Sequence, residues 1–105
     1  MTGKQRSFLR KHAHKLDHNV QIGDKGVHDA LIQSLEDILR THELIKIKVN
    51  REDIYDKDIV KVYALEIQEK TKSEIIGVIG TTIILYKESD NEKNRKYNLK
   101  KLQLM

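Results

Sequence analysis

The residues of this 105-residue chain best suited to chemistry stand close together near its start. Gly23-Asp24-Lys25-Gly26 is a Gly-x-x-Gly motif that follows a short apolar run, Val20-Gln21-Ile22, and precedes a strongly periodic segment. Glycine lacks a Cβ, so the backbone can take positive φ there and another chain can come close. The periodicity predicts a helix from Val27, which puts the loop at a helix mouth, where free N–H groups and the dipole favour an anion. Lys25 adds a mobile cation to the loop, beside Asp24, which has no recognisable acid–base partner. A phosphate is the expected guest, and a nucleic-acid backbone is its commonest source for a small basic protein.

The charge distribution points the same way. Residues 1–26 hold six cations (Lys4, Arg6, Arg10, Lys11, Lys15 and Lys25) against Asp17 and Asp24, while the rest of the chain carries fourteen of each sign. The whole net charge of +4 therefore lies on the first helix and the glycine loop. A merely solubilising surface mixes signs throughout, whereas concentration into one stretch is the footprint of a phosphate-backbone binder. His12, His14 and His18 raise the question of a metal. His12 and His14 point in different directions on a helix, no cysteine supports them, and no carboxylate stands at ligand spacing, so no metal or other cofactor is expected. His14 is instead expected near the loop as a hydrogen-bond donor or stacking group.

These groups need elements to hold them. Thr2 and Gln5 form a capping box, so a helix should begin near Gly3. Leu9, Ala13 and Leu16 give it an apolar stripe widened by Phe8, with Lys4, Lys11 and Lys15 on one flank and Arg6 and Arg10 on the other. Asn19 to Ile22 reads as a short strand. The helix from Val27 has Ala30, Leu31, Leu35, Ile38 and Leu39 at helical spacing, with Arg40 and His42 in its last turn. Leu44 to Val49 alternates, Ile45, Ile47 and Val49 on one face and Lys46 and Lys48 on a basic outer face. Asp53 to Thr71 is helical, with Ile59, Val60, Tyr63, Ala64 and Ile67 inward. Ile75 to Ile79 and Thr82 to Tyr86 form a hairpin about Gly80-Thr81, so the second Gly-x-x-Gly, Gly77 to Gly80, belongs to strand and turn. The order is α-β-α-β-α-β-β, a single compact α/β domain over residues 1–87. A basic, mobile tail over 88–105 follows it.

Composition bounds the rest. The chain is long enough for one core without staples. It has no cysteine, so neither disulfides nor thiolate metal sites hold it, and a cytosolic setting fits. The N-terminus is charged from Lys4, unlike a signal peptide, and the most apolar run, Ile75 to Leu85, is too short to span a bilayer, so no membrane partner is expected.

Several motifs together resemble the CRM domain, the family of chloroplast RNA splicing and ribosome maturation factors, in its free-standing bacterial form. They are Thr2-Gly3-Lys4-Gln5-Arg6, Leu9-Arg10, Ala13-His14-x-Leu16, Val20-Gln21-Ile22-Gly23, Gly26, His42 to Val49, Arg51-Glu52-Asp53, Val78-Ile79-Gly80 and Leu85-Tyr86. They run in order from Thr2 to Lys87. The resemblance implies a mixed four-stranded sheet flanked by helices, similar to the C-terminal domain of translation initiation factor three. It also implies RNA binding through the glycine loop and adjoining basic surface, and association with large-ribosomal-subunit precursors. The loop resembles the KH-type Gly-x-x-Gly, though here a strand precedes it. The family's proline near His18 is missing, the segment from Asp53 is longer than typical, and Lys72 stands where a glycine is common.

The expected function is thus a non-enzymatic, monomeric RNA-binding protein that takes ribosomal RNA and assists large-subunit assembly. The alternative is an interaction module whose basic surface binds an acidic protein. No nucleophile–base arrangement, acid–base pair or phosphate-hydrolysing signature is visible, and no small-molecule substrate is implied. No helix pair has the spacing of a major-groove reader.

Overall fold

The computed structural model describes residues 1–17, 20–50 and 57–97. Along these run α1 (Gly3–Ala13), β1 (Val20–Ile22), α2 (Asp29–His42), β2 (Leu44–Val49), α3 (Lys57–Thr71), β3 (Glu74–Ile79) and β4 (Thr82–Tyr86), then one 3-10 turn over Glu92–Asn94. The sheet is mixed, in spatial order β1-β2-β4-β3. β1 lies parallel to β2, with Ile22 level with Val49, and β4 runs antiparallel to both β2 and β3. The element order and the four-stranded mixed sheet agree with those expected from the sequence.

Strand alternation sorts the apolar residues onto two faces. Ile45, Ile47 and Val49 of β2, Ile83 and Leu85 of β4 and Ile22 of β1 form one core with Leu31, Leu35 and Leu39 of α2 and Val60, Ala64 and Ile67 of α3. Leu44, Ile84, Tyr86 and Ile76 point to the other face, where Leu9 and Ala13 of α1 cover them. Each fully buried Leu or Ile contributes about 1.5–3 kcal/mol against the entropy of ordering it, so the middle of the sheet is fixed from both sides. A β-bulge at Ile75/Gly77 sends Ile76 and Gly77 to the same face. Ile76 fills the core below α1, and Gly77 leaves the space taken by the stem of Arg10, whose Cδ would stand 3.4 Å from an added Cβ.

Several sequence expectations need correction. The second helix starts at Asp29, two residues after Val27, because His28 serves as its N-cap, its Nδ1 accepting from the Leu31 N–H at 3.3 Å. Ala30 is exposed, since the buried stripe falls on Leu31, Leu35 and Leu39. Lys46 and Lys48 do not form an open outer face: both are half-buried on the α1 side of the sheet. The capping box is present as expected, Gln5 N–H donating to Thr2 Oγ1 and Thr2 N–H to Gln5 Oε1. His18, Asn19, the helical start expected at Asp53 and the Arg51-Glu52-Asp53 motif lie outside the described residues, as does the tail from residue 98.

Beyond Lys87 the packed chain continues to Tyr97. Glu43 ends α2 at φ +62 and is fully buried. Its carboxylate accepts from the Ser89 N–H at 2.8 Å and from the Lys96 N–H, while Ser89 Oγ donates to the Arg40 carbonyl at 2.7 Å. Tyr97 then sets its ring edge-on to Phe8, His12 and Tyr86. Burial, and then the Glu43 carboxylate, pushes the Tyr86 phenol up to about 12. A packed, partly dry seam thus joins residues 88–97 to the rest of the fold.

Among the described residues two non-glycine residues hold positive φ, Glu43 and Lys72, and they separate strain from function. Lys72 is exposed and follows α3, so Lys72→Gly should gain roughly 0.5–1 kcal/mol by relieving the left-handed backbone. Glu43→Gly relieves the same strain but leaves two amide N–H groups without their acceptor, so it should lose about 2 kcal/mol. Urea denaturation of both variants checks the pair; equal signs would contradict this account.

Candidate nucleic-acid interface

The cations of α1 are held by its buried stripe. Gln5, Leu9 and Ala13 face the sheet, which leaves Lys4, Arg10, Lys11, His14 and Lys15 on the exposed surface. Arg6 is half-buried and pairs with Glu74 at 3.6 Å, so part of its charge is already answered. Arg10 lies along Gly77, and its guanidinium donates to Ser7 Oγ at 3.4 Å. The helix runs the same way as β2 and β3, because Arg6 meets Glu74 at the start of β3 while His14 borders Ile79 and Thr82 at the hairpin end. Arg10, Lys11 and His12 fall in its last turn, where cations suit the dipole.

The glycine loop springs from that same end of the sheet. Ile22 is level with Val49, and the Asn50 N–H donates to the Ile22 carbonyl at 2.8 Å. The Gly26 N–H donates to the Gly23 carbonyl at 3.0 Å, which closes a tight turn with Asp24 and Lys25 exposed at its tip. Gly26 stands at φ +63, and an added Cβ there would meet Tyr63 Oη of α3 at 3.1 Å. Gly23 is different: its φ lies outside the left-handed region and a Cβ would meet nothing within 4 Å. The turn itself therefore requires Gly26 and not Gly23. Val27 and His28 also separate the loop from α2, and His28 already accepts from the Leu31 N–H. The expected direct opening onto free helix N–H groups is corrected accordingly.

The structure thus gathers Arg10, Lys11, His14 and Lys15 toward the end that carries Gly23 to Gly26, whereas Lys4 and Arg6 stand at the other end of α1. Two cations missed as site residues by sequence reasoning stand on the α1 side of β2. Lys46 Nζ donates to the Leu16 carbonyl at 3.0 Å, and Lys48 Nζ donates to Thr81 Oγ1 in the hairpin turn. Their alternation in β2 was the available signal, but it could not say which face a helix would partly cover. His28 was passed over because histidine is not among the preferred N-caps. His12 turns away from the loop, its ring 4.4 Å from Phe8 and 5.5 Å from Tyr97. Among the described residues no three His, Asp or Glu side chains gather as a metal site.

The loop geometry yields a separable pair of outcomes. Gly26→Ala adds strain at positive φ and a contact with Tyr63, and should lower stability by about 1–2 kcal/mol. Gly23→Ala should stay within about 0.5 kcal/mol of wild type. Thermal melts of the two variants measure the difference.

Comparison with known proteins fits this arrangement. The family model described as the CRS1 / YhbY (CRM) domain matches residues 1–87. A Bacillus subtilis protein named "Probable RNA-binding protein YqeI" is 40% identical over 93 residues, covering 89% of this chain and 94% of the relative. A Haemophilus influenzae protein named "RNA-binding protein" is 32% identical, with 89% and 91% covered. The solution structure of a hypothetical protein from Staphylococcus aureus aligns at a TM-score of 0.74 and 36% identity, over 93% of this chain and 99% of that one. With the motifs, the fold and the matched span in agreement, the chain belongs to the CRS1/YhbY (CRM) domain family.

Proposed function

We propose that this protein is a non-enzymatic RNA-binding protein that grips the phosphate backbone with the Gly23-Asp24-Lys25-Gly26 loop and the cations of α1. One observation carries this reading: the exposed cations toward the end of α1 and the loop tip share one end of the sheet, where Lys48 reaches the hairpin turn and Lys46 the chain after α1. Lys25 stands exposed at the turn, Arg10, Lys11 and Lys15 extend the positive surface along α1, and Lys4 and Arg6 prolong it toward the helix start. His14 supplies a polar ring at the junction. The absence of a Cβ at Gly23, which the fold does not require, leaves the outer side of the turn open to a phosphate. The RNA-binding names of the relatives support the same partner class.

Lys25→Asp tests the loop apart from the fold. It places a second negative charge beside Asp24 and should weaken binding of a structured RNA by about 1–3 kcal/mol, with a melting temperature close to wild type. Wild-type affinity should fall steeply with salt, and the variant's log–log slope should shrink by about one. Unchanged affinity in the folded variant would remove the loop from the site.

We further propose that the RNA is ribosomal and that the protein acts in the cytoplasm as a monomer, assisting assembly of the large ribosomal subunit. The family resemblance supports this choice. The protein should co-sediment with large-subunit precursors on sucrose gradients, and its deletion should disturb subunit ratios. Recovery only in ribosome-free fractions, with normal ratios in the deletion, would count against it.

A further inference from the structure

We propose that the groove between α1 and the hairpin end of the sheet receives one unpaired nucleotide of the bound RNA, its base on the apolar floor and its phosphates on the rim. The inference rests on the RNA reading above and adds to it a distinct subsite.

The groove exists because α1 stops short. On its face of the sheet the last cross-strand row is Gln21, Lys48, Thr82 and Ile79, and the helix ends before it. Ile79 closes β3 and is 54% exposed, an unusual place for a large aliphatic side chain in a strand. It faces a hollow of about 140 Å³, several times the ~30 Å³ of one water, bounded also by Ala13, His14, Lys46, Thr82 and Ile84. A second, more open depression shares Ile79 and His14 and continues along Ser7, Arg10 and Lys11. The two form one groove with an aliphatic floor and a basic rim. Among the described residues no carboxylate lines either part.

That combination selects its occupant. The basic rim favours a polyanion, and the apolar floor favours a polyanion that also carries a flat apolar face. A base inside a duplex hides its faces in the stack, whereas an unpaired base can be splayed out and laid against a histidine ring, a guanidinium plane or an aliphatic surface. His14 and Arg10 stand at the rim, and Arg10 is held there by the gap at Gly77. Contact through a ring face recognises the unpaired state more than the base identity.

The experiment compares two labelled RNA hairpins, one with an uninterrupted stem and one identical except for a single unpaired adenosine in the stem. Wild type should bind the interrupted stem about tenfold more tightly. Ile79→Ser should bring that ratio near one and Ile79→Val should retain it, while Lys25→Asp should weaken both RNAs and keep the ratio. Melting temperatures confirm that each variant is folded. Equal binding of the two hairpins by wild type, or a ratio untouched by Ile79→Ser, overturns the subsite and leaves the backbone reading standing. Failure to bind either hairpin, with binding of polyglutamate instead, assigns the groove to an acidic protein and overturns both.

Discussion

Every other part of the structure depends on β2 and β4 lying side by side with apolar residues on both faces. Ile45 and Ile47 with Ile83 and Leu85 go to one side; Leu44 with Ile84 and Tyr86 goes to the other. A pair buried on both faces needs cover on both, and the chain provides it unequally. The 14- and 15-residue helices α2 and α3 cover the first face, and the 11-residue α1 covers the second. At 1.5 Å per residue α1 is only about 16 Å long, shorter than the ~20 Å of a six-residue strand. The shortfall leaves one row of the sheet open beside a basic helix.

The two faces consequently carry different electrostatics. On the α2/α3 side the exposed helix surfaces mix signs, with ion pairs such as Arg40 to Asp37 and Lys70 to Glu66. Such exposed pairs add little to stability. On the α1 side, cations reach the surface because the inward stripe of Gln5, Leu9 and Ala13 is short and uncharged, and Lys46 and Lys48 come up from the strand beneath. Their ammonium groups are tied to the Leu16 carbonyl and the Thr81 hydroxyl, which orients both. Arg6, at the far end, is paired to Glu74. The positive field therefore strengthens toward the glycine loop.

Much of this was legible from local pattern. Capping chemistry placed the start of α1, period-two alternation placed β2, and Gly80-Thr81 placed the hairpin, with φ +59 at Gly80 as a two-residue turn requires. What local pattern could not show was long-range. Whether Lys46 faces water or the end of α1 depends on where another helix lies. The bulge that puts Ile76 and Gly77 on one face is invisible in a run of β-branched residues. Gly23 and Gly26 look equivalent in sequence, yet only Gly26 is fixed by positive φ and by Tyr63, a residue 37 positions later. The start of α2 was missed by two residues because His28 caps it with a ring nitrogen, a role that propensity does not suggest.

Residues 88–97 bear on the site although none of them lines the groove. The family match ends at residue 87, but Glu43 draws Ser89 and Lys96 onto the end of α2 and so delivers Tyr97 to the flank of α1. There Tyr97 meets Phe8 and His12, on the side of the helix opposite the groove-lining Ser7, Arg10 and His14. A short helix on a partly open sheet has few contacts with which to resist rolling, and a brace on one flank limits how its cations on the other can move. The buried carboxylate at φ +62 thus reaches the proposed binding surface through the segment it holds. Its left-handed backbone is tolerated because no glycine could accept those two amide hydrogens.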